Sequence, residues 1–183
     1  MIAAPSGCGK TTIAKAILAK HPDMLFSVSA TTRPKRSNEV EGKDHFFLTK
    51  EKFKEYFCNG DLVECEEIYG YYYGTLKSEI NKALQNSRIM LFDIDVKGAL
   101  SIQKHFPNDS ILIFIKPPSL EILKKRLENR NTENPETFKR RLERVPMEVE
   151  QGQQFDYQVV NDDLQKAINE VDEIVQANIK NII

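Results

Sequence analysis

A run of residues near position 10 is suited to holding phosphate groups. Gly7 and Gly9 lack a Cβ atom, so the backbone there can coil tightly and point several N–H groups at one anion. Lys10 adds a mobile positive charge, and the Thr11 hydroxyl is of the type that binds Mg²⁺. A helix expected over residues 12–20 would add the positive end of its dipole. These features predict that the chain binds a nucleoside triphosphate.

The run departs from the pattern G-x-x-x-x-G-K-[ST] at its first position only, where Ala4 replaces glycine. A glycine-rich helix cap followed by a chance Lys-Thr is the alternative interpretation. The context favours the phosphate loop, because a short apolar strand over residues 1–4 precedes it and an apolar stripe follows on the helix. We expect the following residues to surround the triphosphate: Ala4, Pro5, Ser6, Gly7, Cys8, Gly9, Lys10, Thr11 and Thr12.

Arginines in the charge-dense stretch 119–150 could stabilise a phosphoryl group during transfer. Arg126 and Arg130 are four residues apart and would share one helix face, and Arg141 follows on the next helix. For any single arginine, a solvated helix surface is the alternative, since glutamates are interleaved. Beside a triphosphate loop, guanidinium groups match the charge that spreads over the transferring oxygens. Pro146 is expected to kink or end the second helix.

A second phosphate site is indicated by Arg33 and Arg36, which are close enough along the chain to grip one phosphate. Ser29 and nearby tyrosines could add hydrogen bonds. The R-x-x-R spacing is weak as a lone motif, and it gains weight from the phosphate loop. A second phosphate site would make the acceptor of the γ-phosphoryl group a nucleotide rather than water or protein.

Carboxylate side chains could bind the parts of an acceptor nucleotide other than its phosphate. A buried Glu64 could accept from the adjacent N1–H and 2-amino groups of guanine, which adenine lacks; packing is the alternative for the tyrosine run at residues 69–73. Asp93 and Asp95 end an apolar strand over residues 89–93, where ligands of open α/β sheets bind. Either aspartate could join a Mg²⁺ shell or reach the acceptor.

The bulk composition is that of a soluble globular chain. It has 183 residues, a net charge of −1, 29% charged residues and 40% hydrophobic ones, so no global field would attract nucleic acid or an anionic membrane. No apolar run approaches the roughly 20 residues of a membrane span. Met1 lies directly before the loop, so no signal peptide is expected. Three cysteines without metal-ligand spacing favour reduced thiols in the cytoplasm.

The elements that must position these residues alternate between strands and helices. This alternation predicts an α/β layered fold with a parallel sheet. Residues 30–80 interrupt it with short alternating segments, which indicates a small, partly β insertion. A last helix begins after Asp162 or Asp163. The strands expected in the main sheet are residues 1–4, 26–29, 89–93, 110–115 and 157–161.

The order of these motifs resembles the guanylate kinase family over nearly the whole chain, most specifically in T-T-R-x-x-R, G-x-Y-Y-G-T and N-D-D-L. The resemblance implies a P-loop NTPase three-layer core, an inserted mixed α+β GMP-binding lobe and a helical lid. It implies transfer of the γ-phosphoryl group of ATP to GMP or dGMP, with Mg²⁺ as cofactor. One domain would cover residues 1–183, with the core at 1–28, 85–120 and 146–183, the lobe at 29–84 and the lid at 121–145.

The resemblance also implies roles for individual residues. The catalytic group would be Lys10, Arg36, Arg126, Arg130 and Arg141, with Asn161 near the adenine and Thr11 and Asp93 on the metal. The GMP site would contain Ser29, Arg33, Arg36, His45, Glu64, Tyr73, Thr75, Asp93 and Asp95. His45 stands where the family usually has a tyrosine, so weaker or pH-dependent GMP binding is expected. The partners would be ATP and GMP, without nucleic acid or membrane, in a cytoplasmic monomer or homodimer.

Two other functions compete with this interpretation. Some scaffold proteins contain guanylate-kinase-like modules that have lost catalysis and bind phosphorylated peptides. Such modules lose the phosphate loop and the lid arginines, whereas this chain has both. A kinase for another nucleoside monophosphate is the second alternative, and Glu64 with Thr75 favours guanine over adenine or thymine.

Overall fold

Nine strands and seven helices lie in residues 1–128 and 135–179, the parts of the chain that this computed structural model describes. The strands are β1 (Ile2–Ala3), β2 (Leu25–Phe26), β3 (Ala30–Thr31), β4 (Phe46–Phe47), β5 (Leu62–Ile68), β6 (Tyr71–Leu76), β7 (Met90–Leu91), β8 (Ile113–Lys116) and β9 (Tyr157–Val160). The helices are α1 (Lys10–Lys20), α2 (Lys50–Cys58), α3 (Lys77–Gln85), α4 (Val96–His105), α5 (Leu120–Glu128), α6 (Pro135–Gly152) and α7 (Leu164–Ile179).

The parallel sheet of the core has the strand order β2-β7-β1-β8-β9. The pairs β2–β7, β1–β8 and β8–β9 are parallel. Ile2 joins the two groups, because its N–H donates to the Phe92 carbonyl at 2.9 Å and its carbonyl accepts from Ile94 at 3.3 Å. The short β1 is therefore a central strand. The predicted parallel sheet is confirmed, although β2 ends at Phe26 and β8 begins at Ile113.

Alternation along these strands divides the core into two layers of side chains. Ile2, Ile113 and Ile115 belong to one buried cluster, which includes residues of α1 and α7. Leu112 and Phe114 belong to the other, which includes residues of α4. Near-continuous apolar strands are buried on both faces in this way when helices cover both sides of a sheet. The predicted three-layer α/β architecture is confirmed.

The insertion after β2 forms its own mixed sheet, in the order β4-β3-β6-β5. Phe53 of α2 packs with Ala30 and Leu62 in a small separate core. Strands β5 and β6 are joined by Tyr69 and Gly70, whose φ angles of 54° and 82° are both positive, as two-residue hairpin loops of type I′ require. The partly β insertion expected from the sequence is confirmed, and its carboxyl-terminal hairpin faces the phosphate loop.

Helices α5 and α6 carry the predicted arginine cluster. Ser119 caps α5 by accepting from the Ile122 N–H at 3.2 Å. Of the two outcomes expected at Pro146, a kink or an end of the helix, the end is wrong, since α6 runs on to Gly152. Proline removes one backbone hydrogen bond, and burial of Val145 on the main core compensates for that loss. Arg130 lies outside the described residues. Within the two described ranges, no helix combines the length and apolar character needed to cross a bilayer.

Candidate active site

The predicted phosphate loop is held in a left-handed backbone conformation at two glycines. Gly7 and Gly9 have φ angles of 90° and 84°, and α1 begins directly afterwards at Lys10. A Cβ atom on Gly9 would lie only 2.5 Å from Asn161 Nδ2. That same nitrogen donates to the Cys8 carbonyl at 2.8 Å. The residue after β9 thus fixes the loop, and only glycine fits at position 9.

The side chains of Lys10 and Thr11 converge on one aspartate. Lys10 Nζ lies 3.0 Å from Asp93 Oδ1 and donates to the Ile94 carbonyl at 2.8 Å. The Thr11 hydroxyl donates to Asp93 Oδ2 at 2.6 Å. Both carboxylate oxygens of Asp93 are therefore engaged on the loop side, beside the metal ligand predicted at Thr11.

The chemistry of this pair fits Mg²⁺. Mg²⁺ binds oxygen ligands, usually through one or two carboxylates, and leaves its other positions to water and substrate phosphates. Thr11 and Asp93 supply one hydroxyl and one carboxylate at adjoining positions. No group of three or more His, Cys, Asp or Glu that could hold a metal occurs in the described ranges.

Behind the loop is a cavity of about 240 Å³, at the place expected for the nucleoside of ATP. Gly9, Thr12 and Asn161 line it, together with Arg126 of α5. Arg126 Nη1 donates to the Asn161 carbonyl at 2.9 Å, so this arginine is anchored at the end of β9. Gly7 and Gly9 line this cavity and also line a second one in front of the loop, so the sequence-predicted ATP residues border both.

In front of the loop, a cleft of about 250 Å³ separates it from the inserted sheet. Lys10 and Ser6 line one side, and Tyr73 lines the other. Arg141 reaches in from α6, and its Nη1 donates to the Ser6 hydroxyl at 2.6 Å. A cation from α6 therefore contacts the phosphate loop directly, as expected for a residue that neutralises charge at the transferred group.

Arg33 is held by a partner that the sequence analysis missed. Its Nη1 and Nη2 donate to the two carboxylate oxygens of Glu39, at 3.0 and 2.7 Å. Glu39 also accepts from the backbone N–H of Arg36 at 2.8 Å. The Arg33 hydrogen bonds hold the pKa of Glu39 near 2, so this carboxylate stays ionised and fixes the plane of the guanidinium group. The Arg36 residue itself is exposed.

His45 lies beside Tyr73, with ring centroids 6.0 Å apart, so two of the predicted phosphate ligands are neighbours. His45 Nδ1 lies 3.3 Å from the Ser29 carbonyl, which accepts, so Nδ1 carries the proton. Burial, followed by the charge of Arg33, lowers the pKa of His45. In the neutral ring Nε2 can only accept, and His45 can donate to a phosphate through Nε2 only after protonation.

Glu64 and Thr75 form a buried polar pair across β5 and β6. The Thr75 hydroxyl donates to Glu64 Oε1 at 2.7 Å. Thr75 is 1% exposed and Glu64 is 8% exposed. Burial raises the pKa of Glu64 to about 7, despite the opposing hydrogen bond from Thr75. Asp95 also lies close enough to raise that pKa. The three predicted guanine ligands therefore form one polar group.

Three more residues line the main cleft: Arg144 of the predicted arginine cluster, Tyr69 of the tyrosine run, and Glu148, for which no role was predicted. Arg144 and Glu148 follow Arg141 at helical spacings of three and seven residues, which put all three on one face of α6. This spacing was a usable signal, but interleaved glutamates masked it. Tyr69 belongs to the tyrosine run at residues 69–73, but its place in the cleft depends on the turn between β5 and β6.

Comparison with known proteins places the chain in one family. The family profile described as guanylate kinase matches residues 1–178. The guanylate kinase of Salinibacter ruber is 47% identical over 93% of this chain and 90% of its own length, and that of Chlorobium luteolum is 44% identical over 93% and 87%. The crystal structure of guanylate kinase from Anaplasma phagocytophilum superposes with a TM-score of 0.76 at 28% identity, covering 97% of this chain and 83% of that one. The chain therefore belongs to the guanylate kinase family.

Proposed function

We propose that this chain transfers the γ-phosphoryl group of ATP to GMP, and to dGMP, giving ADP and GDP. The observation that carries the proposal is one cleft bordered by two kinds of site. A phosphate loop with Lys10 lies on one side, and Tyr73 and Asp95 lie on the other. Tyr73 belongs to β6, the strand that also carries Thr75 of the buried Glu64–Thr75 pair. The relatives named guanylate kinase, at 40–47% identity over nearly the full chain, support the same activity.

On the donor side, loop N–H groups and Lys10 bind the ATP phosphates. Asn161 and Arg126 border the space for the nucleoside, which the cavity of about 240 Å³ supports. Thr11 and Asp93 hold Mg²⁺. The ion supplies neutralisation of negative charge on the phosphates when it is bound. Lys10 contributes a second positive charge and holds Asp93 in place through their 3.0 Å contact.

On the acceptor side, Arg33, Arg36, Ser29 and Tyr73 bind the phosphate of GMP. Arg33 Nη1 and Nη2 donate to Glu39, and Nη1 also donates to the Pro34 carbonyl at 2.8 Å, so the plane of this guanidinium is fixed before GMP binds. Glu64, with Thr75 and Asp95, accepts from the N–H groups of guanine. Adenine offers no such adjacent donors, so its binding would leave a buried carboxylate without hydrogen bonds from the base. That penalty makes the site strongly selective for guanine over adenine.

Transfer itself needs positioning and charge neutralisation. The acceptor oxygen of GMP already carries negative charge, so no general base is required. Arg141 contributes positive charge from α6, as its hydrogen bond to Ser6 supports. Arg126 and Arg130 are proposed to act from the same helical lid over residues 121–145. Closing the cleft around both nucleotides would exclude water, which would otherwise hydrolyse ATP.

A panel of acceptors tests the proposal. The protein with Mg-ATP should form ADP rapidly with GMP and dGMP, and much more slowly with AMP and dTMP. The nucleoside diphosphate formed should be identified by chromatography, so that ATP hydrolysis is not mistaken for transfer. Absence of ADP formation with every acceptor would favour a phosphopeptide-binding module, and preference for AMP would overturn the role of Glu64. Gel filtration with light scattering would distinguish between the two proposed oligomeric states, a monomer and a homodimer.

A further inference from the structure

Arg144 occupies a junction between three parts of the molecule. It lies on α6 one turn after Arg141, and both guanidinium groups lie over the ring of Tyr69, at 5.7 Å for Arg144 and 5.4 Å for Arg141. Tyr69 is the hairpin residue with the positive φ angle of 54°. A tyrosine held in that unfavourable conformation presents its face to two cations, which is an attractive arrangement for an aromatic ring.

Two carboxylates lie against Arg144 on its other sides. Its Nη2 is 3.7 Å from Asp95 Oδ2, and its Nε is 3.4 Å from Glu148 Oε1. Glu148 is 7% exposed, and it lies one helical turn along α6. Arg144 therefore connects α6 both to Tyr69 in the β5–β6 hairpin and to Asp95, the residue that caps the N-terminus of α4.

Asp95 combines the ion pair with Arg144, at 3.7 Å, with two long hydrogen bonds from the backbone. Its oxygens accept from the backbone N–H groups of Lys97 and Gly98, both at 3.3 Å. The pKa values of Glu64 and Glu66 are both raised. Burial is the larger cause for each, and the negative charge of Asp95 adds to it. Carboxylates repel one another in a partly buried site. Arg144 is a cation in direct contact with Asp95, and its charge also reaches Glu66.

We propose that Arg144 is a positioning residue for the acceptor base, which holds the Asp95 carboxylate toward guanine and ties it to the helix that carries Arg141. The inference rests on the proposed role of Asp95 in reading guanine. It assigns Arg144 to recognition of GMP rather than to the phosphates of ATP. Loss of its charge should therefore weaken GMP binding and selectivity while leaving ATP binding intact.

The test compares Arg144→Met with the wild-type protein. Methionine keeps an unbranched apolar stem over Tyr69 and removes the charge. We expect KM for GMP to rise about tenfold, with kcat within about threefold and KM for ATP within about twofold. The preference for GMP over AMP should fall, because a misplaced carboxylate discriminates less. Arg144→Lys, which keeps the charge without the planar fork, should recover part of the affinity.

Two further variants make the result specific. Lys139→Met removes an exposed cation from the same helix and should leave every constant unchanged. In an Asp95→Asn background, Arg144→Met should add little to KM for GMP, since the carboxylate that it positions is gone. A fall in kcat or a rise in KM for ATP with unchanged KM for GMP would overturn the inference. A wild-type protein that does not phosphorylate GMP would instead overturn the proposed function.

Discussion

The two proposed phosphate sites of this molecule are built in different ways. The proposed donor site is a contiguous loop, in which the positive φ angles of Gly7 and Gly9 set the backbone. The acceptor site is assembled from side chains on several strands and loops, such as Arg33, His45 and Tyr73. Backbone geometry is encoded locally, whereas side-chain sites depend on tertiary partners. The difference predicts different sensitivities to substitution.

The largest effect is expected from Lys10→Ala. It removes the charge that faces the ATP phosphates and leaves Asp93 without its 3.0 Å counter-ion. We expect kcat to fall about 10³-fold. Steady-state kinetics with saturating GMP would measure it, and Lys15→Ala, an exposed lysine of the same helix, is the control. A fall of less than tenfold would mean that the loop backbone, rather than Lys10, carries donor catalysis.

A pair of glycine variants asks whether backbone space defines the donor site. Gly9 and Gly70 have nearly equal φ angles, 84° and 82°, but a Cβ atom meets Asn161 Nδ2 at 2.5 Å only on Gly9, with open space at Gly70. Gly9→Ala should lower kcat/KM for ATP about 10²-fold. Gly70→Ala should cost about 1 kcal/mol of unfolding free energy and leave ATP use unchanged. Equal losses of activity in both variants would contradict the argument.

Arg33 tests the acceptor side, where side-chain geometry should matter as much as charge. Arg33→Ala should raise KM for GMP about 100-fold, and Arg33→Lys about tenfold, because lysine cannot reproduce the planar two-point contact with Glu39. Lys35→Ala, an exposed cation two residues away, serves as the control. Wild-type behaviour of Arg33→Lys would show that this phosphate is held by charge alone.

The smallest expected effect is a pH dependence of acceptor binding. Burial raises the pKa of Glu64 to about 7, and the carboxylate must be ionised to accept from guanine. KM for GMP should therefore rise as pH falls below 7, by up to about tenfold per pH unit. Dividing the wild-type profile by that of Glu64→Gln cancels the titration of the GMP phosphate itself. The quotient should then level off above pH 8.

A second buried carboxylate provides the control for that profile. Burial also raises the pKa of Glu148 to about 7, although it lies on α6 rather than beside Thr75. Glu148→Gln should retain the acid limb of the KM profile, and Glu64→Gln should lose it. A limb that disappears in Glu148→Gln instead would reassign the titrating group.

The donor site could be predicted from the sequence because its determinants are adjacent along the chain. Glycine spacing, Lys10 and Thr11 define the loop without knowledge of the fold, and the apolar run before Asp93 places that aspartate at a sheet edge. The parallel sheet and the mixed insertion followed from alternation of strand and helix patterns. Their ends shifted by a few residues, because tertiary hydrogen bonds such as those of Ile2 decide where strands stop.

Other features depended on contacts that no local pattern reports. Glu39 pairs with Arg33, although nothing in its neighbourhood of charged residues distinguishes it. Helix α6 passes through Pro146 because Val145 packs on the core, which local propensity ignores. Tyr69 reaches the cleft only through a hairpin turn with positive φ angles. In each case, long-range packing or pairing outweighs the preference of the residue itself.

Calorimetric titration of two variants tests most directly whether two separate phosphate sites serve one transfer. Lys10→Ala and Arg33→Ala should each be titrated with GMP alone and with a non-hydrolysable ATP analogue plus Mg²⁺. Our expectation is that Lys10→Ala binds GMP like the wild-type protein and binds the ATP analogue weakly, and that Arg33→Ala binds the ATP analogue like the wild-type protein and binds GMP weakly. Loss of both ligands in either folded variant, or loss of GMP binding in Lys10→Ala, would contradict it.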